Sequence, residues 1–260
     1  MSDTELQIDG VSMVFGTEAA SFQALAPVSL EVKRGRFISL VGPSGCGKST
    51  LFNIIAGLQA PSEGRVLIGG DDVTGIIGQV GYMLQKDLLL PWRNVLDNVV
   101  LGMEIRGVSM AEARRRALPY LQRYGLGGFE YRRPASLSGG MRQRAALLRT
   151  LLIDSDIVLL DEPFGALDAQ TKQQMQEWLL QLWADFNKTV IFITHDVEEA
   201  VYLSDEICVM GTRPGRIVEH ITVPLDRPRP RQVVSTPEFV RLKQYCLDLL
   251  HVPATDVQAA

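Results

Sequence analysis

Residues 42–50 read Gly42-Pro43-Ser44-Gly45-Cys46-Gly47-Lys48-Ser49-Thr50, which meets the pattern G-x-x-x-x-G-K-[ST] without a mismatch. A mostly apolar run at residues 37–41 precedes this stretch, and residues 51–55 continue it as a helix would. Glycine N–H groups can point inward at phosphate oxygens, and the positive end of the helix dipole adds to the attraction. In this pattern Lys48 reaches the β- and γ-phosphates and the Ser49 hydroxyl binds Mg²⁺. The stretch therefore predicts a phosphate-binding loop; the alternative is a glycine-rich turn that carries its lysine by chance.

The composition is that of an ordinary globular chain. Of its 260 residues 46% are hydrophobic and 22% are charged, so we expect one domain, 1–260, with a sizeable core. The net charge of −4 gives no electrostatic footprint for nucleic acid. The chain has 3 cysteines (Cys46, Cys208 and Cys246) without metal-ligand spacing, which predicts free thiols in a reducing compartment.

We expect no membrane-spanning segment. Residues 1–5 carry no basic and no apolar region, so we expect no signal peptide. No stretch approaches 18 consecutive apolar residues, which predicts that nothing spans a bilayer and that the chain is cytosolic, or peripheral to a membrane through a partner.

Two kinds of strand are predicted. Residues 6–8 and 28–32 alternate apolar and polar side chains, and further short strands are suggested at 11–16 and 64–70, so we expect a small antiparallel sheet. The continuous apolar runs 157–160 and 190–193 are typical of strands buried on both faces. A helix predicted over 169–183 separates these two runs, which indicates a β-α-β unit and a parallel sheet.

The remaining chain is mainly helical. Residues 80–85 predict a buried strand that ends at Gln85, and 95–128 turns helical, most clearly over 111–124, where Pro119 is expected to bend or divide the helix. A helix is also expected to begin at Ser138, with Arg142, Arg144 and Arg149 able to face outward. The fold class is therefore α/β, with a mainly parallel sheet, a small antiparallel lobe and a helical subdomain inserted at roughly 88–155.

The last part of the chain predicts one more helix, a hairpin and a tail. A capping box at Asp196 should start a helix that reaches Leu203, and residues 207–220 predict the hairpin. A proline-rich arm follows at 224–230 and a tail helix at 237–250. The C-terminal arm and helix together cover roughly 222–260.

Polar side chains follow both buried strands of the parallel sheet. Asp161 and Glu162 end the run at 157–160, and His195 follows the run at 190–193. Ligands of open α/β sheets bind at the carboxyl ends of the strands. There Asp161 could hold Mg²⁺ through water and Glu162 could take a proton from an attacking water. The alternatives are an ordinary polar strand end and a structural histidine.

Ser138-Gly139-Gly140 at a predicted helix start is a second device that could bind an anion. Its alternative is a capped helix with glycines in the adjoining turn. Two such helix ends raise the question of whether they serve one nucleotide or two.

Residues 137–144, Leu137-Ser138-Gly139-Gly140-Met141-Arg142-Gln143-Arg144, resemble the signature motif of ABC-transporter ATPase subunits. The phosphate loop at 42–49, Gln85, the Walker B strand and glutamate at 157–162, a D-loop at 166–168 and His195 accompany it in the family's order. The resemblance covers roughly residues 5–250. It implies a P-loop ATPase core with an inserted helical subdomain. It also implies two copies packed head to tail, each ATP lying between one copy's phosphate loop and the other copy's signature helix.

The resemblance implies roles for single residues. Lys48, Gln85, Glu162 and His195 are the expected catalytic residues, and Ser49, Gln85 and Asp161 the expected Mg²⁺ ligands. The residues expected to bind ATP are Phe15, Gly42, Pro43, Ser44, Gly45, Cys46, Gly47, Lys48, Ser49, Thr50, Ser138, Gly139, Gly140 and Asp168. Phe15 replaces a tyrosine found in many members and keeps the ring that stacks on adenine; a core phenylalanine is the alternative. Asp168 is expected to link the two sites of the dimer.

Three further segments, 89–95, 196–205 and 213–216, resemble the importers of nitrate, sulfonates and taurine. This resemblance implies membrane-spanning permease subunits as partners, a solute-binding protein outside the membrane, and a position on the cytoplasmic face of the inner membrane. Pro91 and Trp92 would suit contact with a permease, since tryptophan often anchors interfaces; a buried tryptophan is the alternative. An ABC-type ATPase that acts on nucleic acid is the rival, and the single cassette, without heptads or a basic stripe, disfavours it.

Overall fold

The computed structural model describes residues 3–17, 20–212 and 214–251. Along these residues the strands are β1 (Thr4–Thr17), β2 (Ala20–Lys33), β3 (Phe37–Val41), β4 (Glu63–Ile68), β5 (Asp71–Asp72), β6 (Gly81–Met83), β7 (Ile157–Asp161), β8 (Thr189–Thr194), β9 (Glu206–Gly211) and β10 (Arg216–Thr222). The α-helices are α1 (Lys48–Ile55), α2 (Val95–Val99), α3 (Leu101–Ile105), α4 (Met110–Arg123), α5 (Gly139–Leu151), α6 (Ala169–Phe186), α7 (Val197–Leu203) and α8 (Pro237–His251). Arg213 of the predicted segment 213–216, and residues 252–260 of the predicted C-terminal region, lie outside this description.

The chain divides into two compact units. One unit is Met1–Val80 with Asn187–Ala260, and the other is Gly81–Phe186. The second unit contains α2 to α5, which fall within the helical insertion predicted at roughly 88–155.

The first unit contains the predicted antiparallel sheet, in the order β2-β1-β4-β5. The stretches predicted separately at 6–8 and 11–16 are parts of one strand, β1, which pairs with β2 along its length. Register shifts interrupt the pairing between Ile8 and Val11. Such bulges bend a strand without ending it, which explains why the alternating pattern breaks while the strand continues.

The same unit contains a parallel arrangement around β3. Strand β3 pairs in parallel with β8 and with β9, and β9 forms the predicted hairpin with β10. Every residue of β3 and β8 is buried. Apolar residues at successive positions of both strands satisfy burial on both faces, as predicted.

The second unit holds the remaining parallel pair, β6 with β7. Strand β6 ends at Met83, so it is shorter than the run 80–85 suggested, and Leu84 and Gln85 are exposed. Pro119 lies inside α4 and does not divide it, since the helix runs unbroken from Met110 to Arg123. Proline removes a single intrahelical hydrogen bond, and the buried face of Ala113, Ala117 and Leu121 continues past it.

The three cysteines are free and buried, as predicted. In the described part of the chain no helix has the length and apolar character needed to cross a membrane.

Candidate active site

The loop between β3 and α1 has a shape that its glycines make possible. Gly45 and Gly47 have φ values of +79° and +92°, a left-handed conformation that side chains disfavour. A Cβ on Gly47 would lie 2.5 Å from Cδ2 of Leu25, and a Cβ on Gly42 would lie 2.7 Å from Sγ of Cys46. No heavy atom lies within 4 Å of the position that a Cβ on Gly45 would take. The loop is therefore closed on its inner side and open beside Gly45.

Helix α1 begins with its positive end uncompensated. Its N-cap, Gly47, supplies no side-chain hydrogen bond, and no acidic residue lies in the first turn. The N-caps of α5 and α7, by contrast, are Ser138 and Asp196, whose side chains accept backbone N–H groups. A helix start without a side-chain cap or a nearby carboxylate favours an anion, because the positive end of the helix dipole is not offset there. The donor set thus fits the phosphates of a nucleotide.

The ammonium group of Lys48 lies inside the loop. Its Nζ donates to the carbonyl oxygens of Gly42 (2.7 Å) and Pro43 (3.1 Å) and lies 3.6 Å from Sγ of Cys46. The residue is buried, and among the described residues no carboxylate forms an ion pair with it. The charge is therefore available to a phosphate.

His195 follows β8 at the edge of the sheet that also carries the phosphate loop. Val41 at the end of β3 pairs with Thr194 at the end of β8, so Gly42 and His195 follow from neighbouring positions on one edge. His195 is exposed. The placement agrees with the prediction that the imidazole emerges at the carboxyl edge of the sheet.

Phe15 is not a core residue. Its side chain is 42% exposed, and Phe22, opposite it on β2, is 59% exposed. The core alternative is therefore excluded, and the β1–β2 hairpin carries two accessible aromatic rings.

In the second unit, Gln85 and Glu162 come together. Met83 pairs with Leu160, so the residues after β6 and β7 leave the same edge, and Nε2 of Gln85 lies 3.4 Å from Oε2 of Glu162. Asp161, the last residue of β7, is buried. Burial raises the pKa of the Tyr82 hydroxyl on β6, and the charge of Asp161 adds to the effect.

Glu162 has a strained backbone. Its φ of +44° lies in the left-handed region, which costs a non-glycine residue about 1 kcal/mol. The conformation turns the chain sharply at the end of β7, and the N–H of Gly165 donates back to the Glu162 carbonyl at 3.1 Å. Strain of this kind concentrates at functional sites.

The second predicted anion-binding segment, Ser138-Gly139-Gly140, is the capped start of α5. The Ser138 hydroxyl accepts the Met141 N–H at 3.3 Å. A Cβ on Gly140 would lie 3.1 Å from Cγ2 of Thr171, whereas a Cβ on Gly139 would meet nothing closer than 3.9 Å. Packing therefore accounts for a glycine at 140 and not for the glycine at 139.

Asp168 is the N-cap of α6. Its hydrogen-bond partner Thr171 also lies beside α5, the helix that carries the signature motif. Oδ1 of Asp168 accepts the Thr171 N–H at 3.0 Å. The Thr171 hydroxyl and, to a smaller extent, the Thr171 backbone N–H donate hydrogen bonds to the exposed Asp168 carboxyl. These bonds hold the pKa of that carboxyl below its usual range. Thr171 thus touches both Asp168 and the site of Gly140. The sequence analysis missed this residue because no motif includes it.

The expectation that Arg149 faces outward is wrong. Its guanidinium donates to the carbonyl oxygens of Asp87 (2.6 Å) and Leu88 (2.8 Å), and burial lowers its pKa. Arg142 contacts the Asp87 carboxylate at 3.2 Å. The helical stripe pattern assigns a face to each residue, but it cannot reveal a loop that folds over that face.

The residues predicted to bind Mg²⁺ offer oxygen atoms with one carboxylate among them. In the described part of the chain no group of three or more His, Cys, Asp and Glu residues is assembled that could hold a metal by itself. Mg²⁺ in nucleotide sites is commonly held by one or two protein oxygens together with phosphates. The set Ser49, Gln85 and Asp161 fits that chemistry.

The loop from Gly42 to Thr50 and its lysine define a P-loop nucleotide-binding protein. The chain belongs to the ABC transporter family, whose model matches residues 25–165. It is an ATP-binding subunit and a transport ATPase.

The relatives extend the match over most of the chain. An uncharacterized ABC transporter ATP-binding protein of Methanocaldococcus jannaschii is 45% identical over 246 residues, covering 95% of this chain and 91% of that protein. The taurine import ATP-binding protein TauB of Yersinia pseudotuberculosis is 44% identical over 229 residues, 86% of this chain and 90% of TauB. Among solved structures, the ATP-binding cassette MJ0796, a dimer in a post-hydrolysis state with ADP and phosphate bound, superposes with a TM-score of 0.73. It is 31% identical and covers 85% of this chain and 100% of its own.

Proposed function

We propose that the chain is the ATP-hydrolysing subunit of an importer for a small solute such as taurine, another sulfonate or nitrate. It works as a head-to-tail homodimer beneath two membrane-spanning permease subunits, at the cytoplasmic face of the inner membrane. A solute-binding protein delivers the solute. The relatives named for taurine import support the solute class.

The observation that carries this proposal is the open start of α1. A helix start without a side-chain cap and the buried ammonium of Lys48 meet at one glycine loop. Lys48 binds the β- and γ-phosphates, while Ser49, Gln85 and Asp161 hold Mg²⁺. This ion neutralises phosphate charge and fixes the phosphates for in-line attack by water. Phe15 stacks on the adenine ring.

Glu162 is the general base in this proposal. Its strained backbone and its hydrogen-bonding contact with Gln85 fix the carboxylate at the end of β7. A carboxylate placed beside an attacking water can accept its proton. His195, at the edge that carries the phosphate loop, donates to the γ-phosphate.

Each nucleotide in this proposal also contacts the second copy. The Ser138 hydroxyl, the N–H groups of Gly139 and Gly140 and the positive end of α5 bind the γ-phosphate held by the other copy's loop. Asp168 links the two sites. The dimeric cassettes among the similar structures support this arrangement. Hydrolysis then removes the contact that holds the two copies together.

The segment after Gln85 receives the permease. Trp92 is 69% exposed, which excludes the buried alternative, and Leu88 is also exposed. Large exposed side chains in one short loop favour a protein partner.

The substitution Glu162→Gln tests the hydrolytic role. We expect ATP binding to persist and turnover to fall at least about a hundredfold, because the amide cannot accept the proton. The ATP-bound dimer should then accumulate. ATP turnover, nucleotide retention and size-exclusion chromatography measure the three effects.

Glu177→Gln, the same change on the exposed face of α6, is the matched control and should keep normal turnover. Unchanged turnover in the Glu162→Gln protein would show that another group is the base.

A further inference from the structure

Residues 227–231 read Arg-Pro-Arg-Pro-Arg, and we call this segment the arginine arm. All three arginine side chains reach α7 or the residues that follow it. The alternating prolines restrict the backbone to extended conformations. Helix α7 is the helix that begins two residues after His195.

The arginine arm donates hydrogen bonds to the backbone carbonyls at the C-terminal end of α7. Arg229 Nη1 donates to the carbonyl oxygens of Val201 (3.1 Å), Tyr202 (3.0 Å) and Ser204 (2.7 Å), and Arg227 Nη2 donates to that of Leu203 (2.5 Å). The last carbonyls of a helix lack partners inside the helix. Here four consecutive carbonyls, 201–204, each accept a guanidinium N–H. The two positive charges also lie at the negative end of the helix dipole.

Arg229 is the buried centre of this contact. It is 5% exposed, and it donates further to the Leu225 carbonyl, while the Tyr202 hydroxyl donates to the Arg229 carbonyl at 3.2 Å. Burial lowers the pKa of the guanidinium to about 10, so the side chain remains charged at neutral pH. A buried charge needs a full set of partners, and the end of α7 supplies most of them.

The other end of α7 is held as well. Glu198 in its first turn accepts Arg231 Nη2 at 3.0 Å and Lys243 Nζ of α8 at 2.8 Å. The Arg231 guanidinium also lies 5.0 Å from the centre of the Tyr202 ring. The arginine arm and α8 therefore contact α7 along its length.

His195 immediately precedes Asp196, the N-cap of this helix. Only Asp196 separates it from Val197, and the Asp196 side chain accepts the N–H groups of Glu198 (2.9 Å) and Glu199 (3.4 Å). The Thr194 hydroxyl donates to Glu199 and accepts the Asp196 N–H. Helix α7 has only seven residues, and a short hydrogen-bonded helix is an element through which a shift at Ser204 can reach His195.

We infer that the arginine arm positions α7, and with it His195, for hydrolysis, and that Arg229 is the positioning residue on which this depends. The inference rests on the proposed function, in which His195 contacts the γ-phosphate. Arg229 itself does not touch the nucleotide.

The test compares Arg229→Met with Arg241→Met, the same change at an exposed arginine of α8. We expect Arg229→Met to lower the kcat of ATP hydrolysis about ten- to hundredfold, since a displacement of about 1 Å can cost that much. The affinity for ATP, measured in EDTA where hydrolysis stops, should stay within about twofold because the phosphate loop is intact. Arg241→Met should leave both quantities unchanged.

A histidine spectrum separates positioning from general destabilisation. The chain has 3 histidines, so the NMR signal of His195 is assigned through the His195→Ala protein, with His220 on β10 as the internal reference. We expect Arg229→Met to shift or broaden the His195 signal and to leave that of His220 in place. Arg229→Lys keeps the charge with fewer N–H donors and should show an intermediate effect; it replaces the methionine variant if that protein does not fold.

A His195 signal that is the same in Arg229→Met and in the unchanged protein would overturn the inference, whatever happens to kcat or Tm. Failure of the proposed function is observed separately, as full ATPase activity of the His195→Ala protein while Arg229→Met still shifts the His195 signal.

Discussion

Two glycines of the candidate site, Gly47 and Gly139, differ in whether the fold requires a glycine at that position. Gly47 needs a left-handed backbone and has no room for a side chain, so its glycine serves the shape of the loop. Gly139 is the first residue of α5 and has open space beside it, so alanine there would stabilise the fold by about 0.4–1 kcal/mol through restriction of the unfolded chain. A glycine without a packing reason suggests that a ligand approaches its backbone closely.

This contrast predicts different outcomes for two adjacent substitutions. Gly139→Ala should raise Tm by about 1–4 °C for a protein of this size and lower ATP hydrolysis at least about tenfold, because the new methyl group obstructs the bound phosphate. Gly140→Ala should bring no such gain in Tm, since its Cβ would press on Thr171 at 3.1 Å. Thermal unfolding and turnover of both proteins measure this. A Gly139→Ala protein that is more stable and fully active would argue against phosphate binding at this helix.

Among the elements, the loop after Gln85 is fixed to a neighbouring helix while one of its large side chains stays exposed. Leu88 has a left-handed backbone with φ of +44°, and Arg149 of α5 donates to its carbonyl and to that of Asp87. The loop is therefore held on the signature helix, while Trp92 further along stays exposed. These hydrogen bonds connect the loop to α5.

The permease contact is tested at this loop. Trp92→Ala should weaken co-purification with the permease and lower solute uptake by cells, because a central aromatic anchor often contributes 2 kcal/mol or more, about thirtyfold in affinity. The ATPase activity of the isolated subunit should not change. Ile105→Ala removes a side chain on α3 that is 77% exposed and should leave uptake intact. Normal uptake in the Trp92→Ala cells would place the permease contact elsewhere.

For the whole molecule, the question is how two copies share their sites. The phosphate loop and His195 lie in one compact unit, and Ser138, Gly139, Gly140 and Asp168 in the other. In the proposed dimer each site combines residues of both copies.

Mixing two defective proteins tests this arrangement. Lys48→Ala should impair the phosphate loop, and Ser138→Arg should block the signature helix, so each protein alone should lack an intact site. In a mixture of equal parts, a dimer with one copy of each has one site with both defects and one with none, so roughly a quarter of all sites should regain high-affinity ATP binding. No recovery in mixed dimers that are shown to form would contradict the head-to-tail model.

Much of the fold follows from local patterns in the sequence. The runs that became β7 and β8 are apolar at nearly every position, and burial on both faces is the arrangement that such strands need. The antiparallel sheet follows from alternation, although the bulges of β1 hid its full length. Pro119 does not divide α4, because a missing hydrogen bond is tolerated where the buried face of the helix continues.

The sequence by itself determined the phosphate loop, the signature helix start and the acidic end of β7. Their chemistry depends on a few consecutive residues, so the order of residues is enough to specify it. Only the tertiary structure decided the roles of Arg149, Thr171 and Arg229. The partners of the two arginines are mostly backbone carbonyls that lie far away in the chain, and the Thr171 methyl group lies beside Gly140 of another helix. Every residue has a carbonyl, so no sequence pattern marks the one that a buried arginine will bind; folding selects it.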